Sequence, residues 1–275
     1  MRADLHIHTN ASDGCWSPER VVAEVKARSI GLFAVADHDT IASVPLAETL
    51  AREAGLAFLR GVEVSTQLDG HLFHVLAYGF DLEASVLTAL LHENRARADR
   101  YNDNIIRSLI AAGYPLDFDE YAAYEYDRTR GGWQVLNFLL DRGVCTSLRD
   151  YFDNLLADLP VEYPSLPHPA EAVAAIRAAD GVPILAHPGE SLGYTSVAEE
   201  TLCPFLDSGI AGLECYSQYH DDATIRFCLD WCDRHDLLIT GGSDCHGGFV
   251  GRELGVPVVD VAALRLGVLA ERIVR

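Results

Sequence analysis

Two rhythms of apolar and polar positions run along the chain. Over the first 82 residues short apolar runs alternate with helix-spaced segments. "ADLHI" reads as a strand. Ser17-Pro18-Glu19 then predicts a helix start, with Ser as N-cap, Pro in the first turn and an acid beside the helix N-terminus. That helix is expected to run to about Ser29. "LFAVADHD" predicts an apolar strand that ends in polar residues, followed by a helix over roughly Ala42 to Ala54. "AFLRGVEVST" and "HLFHVLAYGF" predict the next two strands.

From Glu83 the rhythm changes. Helical spacing persists to about Asp158, with "NRARADRYNDNIIRSLIAAG" stopped at Gly113 and "GGWQVLNFLLDRG" stopped at Gly143. The proline-rich "LPVEYPSLPHP" closes this stretch as a rigid linker. Alternation then resumes: a helix over Ala170 to Ala179, the strand "VPILAHPG", and the strands "AGLECY" and "LLITGGSDCH" separated by further helices. About seven strands, each followed by a helix or by the insertion, predict a parallel sheet closed or nearly closed into a barrel. The expected organisation is an α/β barrel over 1–82 and 165–275, with a helical insertion or lid over 83–164.

Composition narrows the function. The 275 residues are 49% hydrophobic and 23% charged, an ordinary globular balance. No apolar run approaches the ~20 residues of a membrane span. No basic segment followed by an apolar stretch marks a signal peptide. The seven cysteines are scattered without a CxxC pair, which fits a reducing compartment and a cytoplasmic location. Cys228 and Cys232 read as helix packing. The net charge of −20 opposes a long nucleic acid laid along a groove, but leaves room for a small phosphorylated ligand beside bound cations.

The candidate chemistry sits at strand ends. His6 and His8 end the first strand, with Asp13 a short turn later. Asp37, His38 and Asp39 end the second. Glu63 lies in "GVEVS", His74 in the next strand, His187 in "AHPG", and Asp244 and His246 in "GGSDCHGG". Each piece alone has an ordinary explanation, such as a polar strand exit, a helix cap or a core histidine. Together they crowd the rim where barrel loops build sites. Imidazole and carboxylate without thiolate suit Zn, Mn or Fe(II). Nine of these residues, all but Asp37 and Asp39, are candidate ligands, which exceeds what one ion takes, so two to three divalent ions are expected, with a carboxylate able to bridge two of them.

The segments "DLHIHTNASDG", "ADHDT", "GVEVS", "HVLAYGF", "AHPG" and "GGSDCHG" occur in an order that resembles the PHP (polymerase and histidinol phosphatase) family, across both barrel portions. The resemblance implies a distorted (β/α)7 TIM-like barrel and a trinuclear centre. By that likeness His6, His8, Glu63 and Asp244 hold one ion. Glu63, His74 and His187 hold a second, and Asp13, His38 and His246 a third. Length and insertion look like the small stand-alone branch, which includes nucleoside bisphosphate phosphatases and short-RNA exonucleases. The insertion there carries Gly-Arg-Pro-His, where this chain has "TRGGWQVLNFL" with Gln134. A later Tyr-His-Pro-x-His is reduced to "CYSQYHD", keeping His220.

The expected function is therefore hydrolysis of a small phosphate monoester, such as a nucleotide, by a metal-bridging hydroxide attacking in line. Arg130 and His220 are the candidate phosphate contacts, with His220 also a candidate proton donor to the leaving group. Tyr124, Tyr126 and Trp133 are candidates to stack on a base, Trp133 with core packing as its plainer role. Within the same class stand a histidinol-phosphate phosphatase and an exonuclease on short oligonucleotides. Outside it stand an amidohydrolase-like C–N hydrolase, since such barrel sites serve several chemistries, and a non-catalytic PHP module.

Overall fold

Helix α1 (Pro18–Ala27) begins where Ser-Pro-Glu places it. Ser17 Oγ accepts the Arg20 N–H at 3.5 Å, and Val21, Val22 and Val25 turn inward. A computed structural model describes residues 1–157, 159–191 and 197–275. Asp158, the expected end of the helical stretch, lies outside the described residues. Strand β1 (Arg2–Asp4) lies parallel to β2 (Ile30–Phe33), which lies parallel to β3 (Ala57–Phe58). Helix α2 (Val44–Ala54) packs beside α1. Near the C-terminus β9 (Val259–Asp260) runs antiparallel to β1 and completes a four-stranded sheet.

The second sheet has five strands in the order β4 (Gly61–Leu68), β5 (His71–Tyr78), β6 (Val182–Leu185), β7 (Gly212–Tyr216) and β8 (Leu238–Gly241). Here the expectation of one parallel set fails. "AFLRGVEVST" is two strands, β3 in the first sheet and β4 in the second. β4 turns directly into β5, antiparallel, through Asp69-Gly70, both at positive φ (49° and 83°). β5 is antiparallel to β6 as well; only β6, β7 and β8 are mutually parallel in this sheet. Two isolated parallel bridges join the sheets, Ile7 with Cys245 and His38 with Glu63. Apolar side chains from both sheets, among them Leu5, Leu32, Ala36, Leu59, Leu76, Tyr78 and Ile184, share one buried cluster.

Between β5 and β6 the chain is helical: α3 (Ser85–Ala111), α4 (Phe118–Ala122), α5 (Gln134–Asp141) and α6 (Leu148–Asp150), the last running into a π-helical turn over Tyr151–Leu156. These elements bury their own apolar cluster, which includes Ile105, Leu109, Tyr121, Phe138, Leu139 and Tyr151. Trp133 packs edge-on to Tyr151 with ring centroids 5.8 Å apart, its plainer expected role. The Tyr124 hydroxyl donates to Asp141, and the Tyr126 hydroxyl to the Gly132 carbonyl. The proline-rich segment leads into α7 (Pro169–Ala178); α8 (Pro188–Ser191), α9 (Glu199–Ser208) and α10 (Asp222–Arg234) follow. Cys228 and Cys232 lie buried on α10, as their spacing predicts. No described helix is long and apolar enough to cross a membrane.

Candidate metal centre

Glu63 sits at the middle of the site, fully buried on β4. Its Oε2 lies 3.2 Å from His6 Nε2, 3.2 Å from His8 Nε2 and 3.0 Å from His38 Nδ1. Its Oε1 lies 2.9 Å from His187 Nε2 and 3.4 Å from His74 Nδ1. The two carboxylate oxygens thus face two different sets of imidazoles. Attraction from these rings outweighs burial and holds the Glu63 carboxyl well below the usual range.

Local structure explains how the rings converge. β1 stops at Asp4, and His6 and His8 follow on an extended segment anchored by Ile7 to Cys245 and by the His8 N–H to the Cys245 carbonyl at 2.9 Å. A Cβ at Gly242 would stand 2.5 Å from the His6 backbone nitrogen, so only glycine lets the end of β8 pass this close. His74 reaches the same rim from near the start of β5, opposite Ser65, because that strand runs against its neighbours. His38 comes in beside Glu63 through the bridge between the sheets.

Four groups of side chains bring ligand atoms close enough to share an ion: His6, His8, Glu63 and Asp244; His8, Asp13, His38 and His246; His38, Glu63 and His74; and His6, His187 and Glu214. All nine expected ligands fall in these groups. The first expected set appears as one group; His8 also joins Asp13, His38 and His246, His38 also joins Glu63 and His74, and His187 joins His6 and Glu214. Several atoms here are buried with no hydrogen-bond partner: His8 Nδ1, His38 Nδ1, Glu63 Oε2, His74 Nδ1, His187 Nδ1 and Asp244 Oδ1. His6 Nε2 and His8 Nε2 lie 3.2 Å apart, and the His8 and His246 rings stack at 4.0 Å. Buried imidazoles this close and so poorly bonded are costly unless a cation or protons lie between them. The donor set, nitrogen and carboxylate oxygen, fits divalent metal.

Three residues missed in the sequence support this centre. Glu214 on β7 accepts from His6 Nδ1 at 3.0 Å and from the His187 backbone N–H at 3.0 Å. Tyr219 donates to Asp244 Oδ2 at 2.9 Å, and Arg252 is ion-paired with the same oxygen. Glu214 looked like one polar residue in a buried strand; the only available signal was a lone acid inside "AGLECY". Asp37 accepts from the Thr9 N–H at 2.7 Å, the Thr9 hydroxyl at 2.8 Å and the Ser12 hydroxyl at 2.6 Å, and also from Ser43. It therefore fixes the turn that carries Asp13 rather than facing the centre. Asp39 accepts from the Ser65 N–H and from Asn94 of α3.

Arg130 and His220, the candidate phosphate contacts, both have partners within the chain. Both Arg130 guanidinium nitrogens pair with Asp141, at 2.9 and 2.8 Å, on an exposed surface. His220 is buried, donates Nδ1–H to the Cys215 carbonyl at 2.9 Å and accepts the Gly189 N–H on Nε2 at 3.0 Å. Burial pushes its pKa down, which keeps it neutral for that pair of bonds. It ties the turn after His187 to the end of β7. Gln134 donates to the carbonyls of Tyr121 and Tyr124.

Residues 4–160 match the PHP domain family. The chain belongs to the PHP family. A 3',5'-nucleoside bisphosphate phosphatase of Chromobacterium violaceum is 32% identical over 92% of this chain and 90% of its own length. The 5'-3' exoribonuclease Rnm of Escherichia coli is 32% identical over 92% of this chain and 87% of its own. Among solved structures, one described as a metal-dependent phosphoesterase from Bifidobacterium adolescentis superposes with a TM-score of 0.84 at 28% identity, covering 99% of this chain and 96% of that one. This PHP chain is a metal-dependent phosphoesterase, a hydrolase of ester bonds.

Proposed function

We propose that the chain hydrolyses a terminal phosphate monoester on a small molecule, most readily a nucleotide. The observation that carries this is Glu63, whose two oxygens face separate imidazole sets, the posture of a carboxylate shared between two cations. We assign His6, His8, Glu63 and Asp244 to one ion, with Asp13, His38 and His246 at another and His74 and His187 completing the centre, so two to three Mn, Zn or Fe(II) ions per chain. Such cations, when bound, supply Lewis acidity and a water acidic enough to act as nucleophile near neutral pH.

The protein's own share is arrangement. Glu214 directs His6 Nε2 inward by accepting a hydrogen bond from Nδ1–H at 3.0 Å. Asp37 holds the Thr9–Ser12 turn that presents Asp13. The two sheets, joined by the Ile7–Cys245 and His38–Glu63 bridges, are read as the distorted seven-stranded barrel. Residues 83–164 are read as a lid over residues 1–82 and 165–275. Two contacts support that reading: Asn94 of α3 on Asp39, and the Gly132 N–H on the Asp13 carbonyl at 2.7 Å. A covered mouth and the charge of −20 favour a small substrate over a long polyanion. Seven free cysteines fit a cytoplasmic enzyme.

Phosphate release from the metal-loaded protein tests this on mononucleotides, 3',5'-bisphosphates, histidinol phosphate and a single-stranded 20-mer, with an amide panel alongside. Release from the small monoesters is expected to exceed processing of the 20-mer. Faster cleavage of the 20-mer moves the protein to the exonuclease side, and amide hydrolysis without phosphate release overturns the reading.

A further inference from the structure

Asp244 divides its carboxylate between two environments. Oδ1 is buried, lies 3.0 Å from His8 Nε2 and 3.6 Å from His6 Nε2, and has no hydrogen-bond donor. Oδ2 faces the other way and takes two donors, the Tyr219 hydroxyl at 2.9 Å and Arg252 Nη1. The Arg252 guanidinium lies over the Tyr219 ring, 5.0 Å from its centroid. The two donors therefore brace each other as well as the carboxylate. Asp244 itself sits at φ 51°, a backbone conformation that costs a non-glycine residue something and persists only where surrounding contacts hold it. One such contact is His246 Nδ1–H on the Asp244 carbonyl at 2.8 Å.

Among the described residues Arg252 is the only arginine or lysine ion-paired with a carboxylate of the cluster. Its side chain is 22% exposed, so the charge is largely desolvated and strongly directional. An isolated carboxylate can bind an ion through one oxygen or both, and can swing between them. With Oδ2 committed to two donors, only Oδ1 can turn to a cation beside His6 and His8.

We propose that Arg252 and Tyr219 are positioning residues that hold Asp244 as a single-oxygen ligand, and so set the affinity and geometry of the ion shared with His6 and His8. This rests on the reading of Asp244 as a metal ligand. Two effects of Arg252 oppose one another. Its charge repels a nearby cation, while its bond to Oδ2 fixes the ligand. The orienting effect wins if partners of metal ligands behave as they generally do, where loss costs about 10–100-fold in affinity.

The test is manganese binding by the full chain, with stoichiometry and affinity read by calorimetry and the geometry of a cobalt-substituted form read by its visible absorption. Tyr219→Phe and Arg252→Gln are each expected to weaken one manganese site by about tenfold or more and to shift the cobalt bands. Arg252→Lys keeps the charge but not the planar fork, and is expected to restore only part of the loss. Melting of the metal-free variants close to that of the parent shows that folding is not the cause. Manganese affinity unchanged within about twofold in both Tyr219→Phe and Arg252→Gln overturns the proposal. So does tighter binding by Arg252→Gln, which would make the guanidinium a simple repulsive charge. Asp244→Ala separates the two readings. If it leaves every manganese site intact, the ligand assignment itself falls.

Discussion

His6 joins two carboxylates through one ring, its Nδ1 donating to Glu214 Oε1 at 3.0 Å while its Nε2 stands 3.2 Å from Glu63 Oε2. The first bond fixes which nitrogen carries the proton, so the second nitrogen is left to act as a ligand. Glu214 is also held by the His187 N–H, so it cannot rotate away. Glu214→Gln places an amide against one of those two donors. Metal affinity is expected to fall about tenfold or more, measured by titration with manganese. An unchanged affinity would remove Glu214 from the centre's support.

Metal uptake is expected to release protons. Burial opposes charge on His8, but hydrogen bonds and attraction from Asp244 and Glu63 prevail and raise it to about 10. Burial likewise opposes charge on His187, and Glu63 raises it to about 9. Both rings are thus protonated at neutral pH in the metal-free protein, while a ligand imidazole must be neutral. Binding is expected to release protons from these rings and from His6, which, against burial, Glu63, Glu214 and Asp244 raise well above its usual range, and to tighten as pH rises from neutral toward 9. Calorimetry in buffers of different ionisation heat reads the proton count directly, and zero release contradicts the assignment of these rings. The sign for the metal-free fold is the reverse. Raised histidine pKa values stabilise it fully below about pH 6.5 and cease to do so as pH climbs through 9 to 10.

Asp37 offers a stability prediction separate from metal. Its replacement by Ala strips the buried Thr9 N–H of its acceptor and releases the hydroxyls of Thr9, Ser12 and Ser43 together. A loss of about 2–3 kcal/mol is expected in denaturant unfolding of the metal-free chain. Asp37→Asn, which keeps an acceptor, is expected to lose less. Equal and negligible losses would mean the turn is held by other means.

Cys245 stands between two expected ligands and is expected to be none. Its side chain is buried in the core with Ile7, Val21 and Val25, and its Sγ accepts the Gly247 N–H at 3.3 Å. Burial pushes the thiol up to about 11, so it stays protonated. Cys245→Ala is expected to keep its full metal content while losing about 1–2 kcal/mol of stability from the small cavity. Loss of a metal ion would reverse this view.

What the sequence made legible was the chemistry carried by short local patterns. HxH and the lone Glu63 lie where extended backbone alternates side chains, so neighbours in sequence point at known faces, while DHD and SDCH turn at Asp39 and Asp244, both at positive φ. What it hid was long-range pairing. "AFLRGVEVST" reads as one continuous strand-like run across the switch from one sheet to the other at Leu59-Arg60. The antiparallel turn did have a mark, Asp69-Gly70 between two alternating runs, a dipeptide that favours a tight hairpin. Partners such as Glu214, Tyr219 and Arg252 were illegible for a different reason. Each is an ordinary residue until another segment brings His6 or Asp244 to it. Arg130, a candidate phosphate contact, pairs with Asp141 eleven residues on.

The stacking of His8 on His246 at 4.0 Å brings together residues far apart in sequence. A centre built this way is complete only once both segments have folded against each other, so its full set of ligands depends on long-range contacts. Once in place, an ion held by both segments acts as a clasp. Opening it requires those segments to part, so bound metal protects against such unfolding by an amount that grows with the logarithm of its free concentration, and does little for fraying of outlying helices.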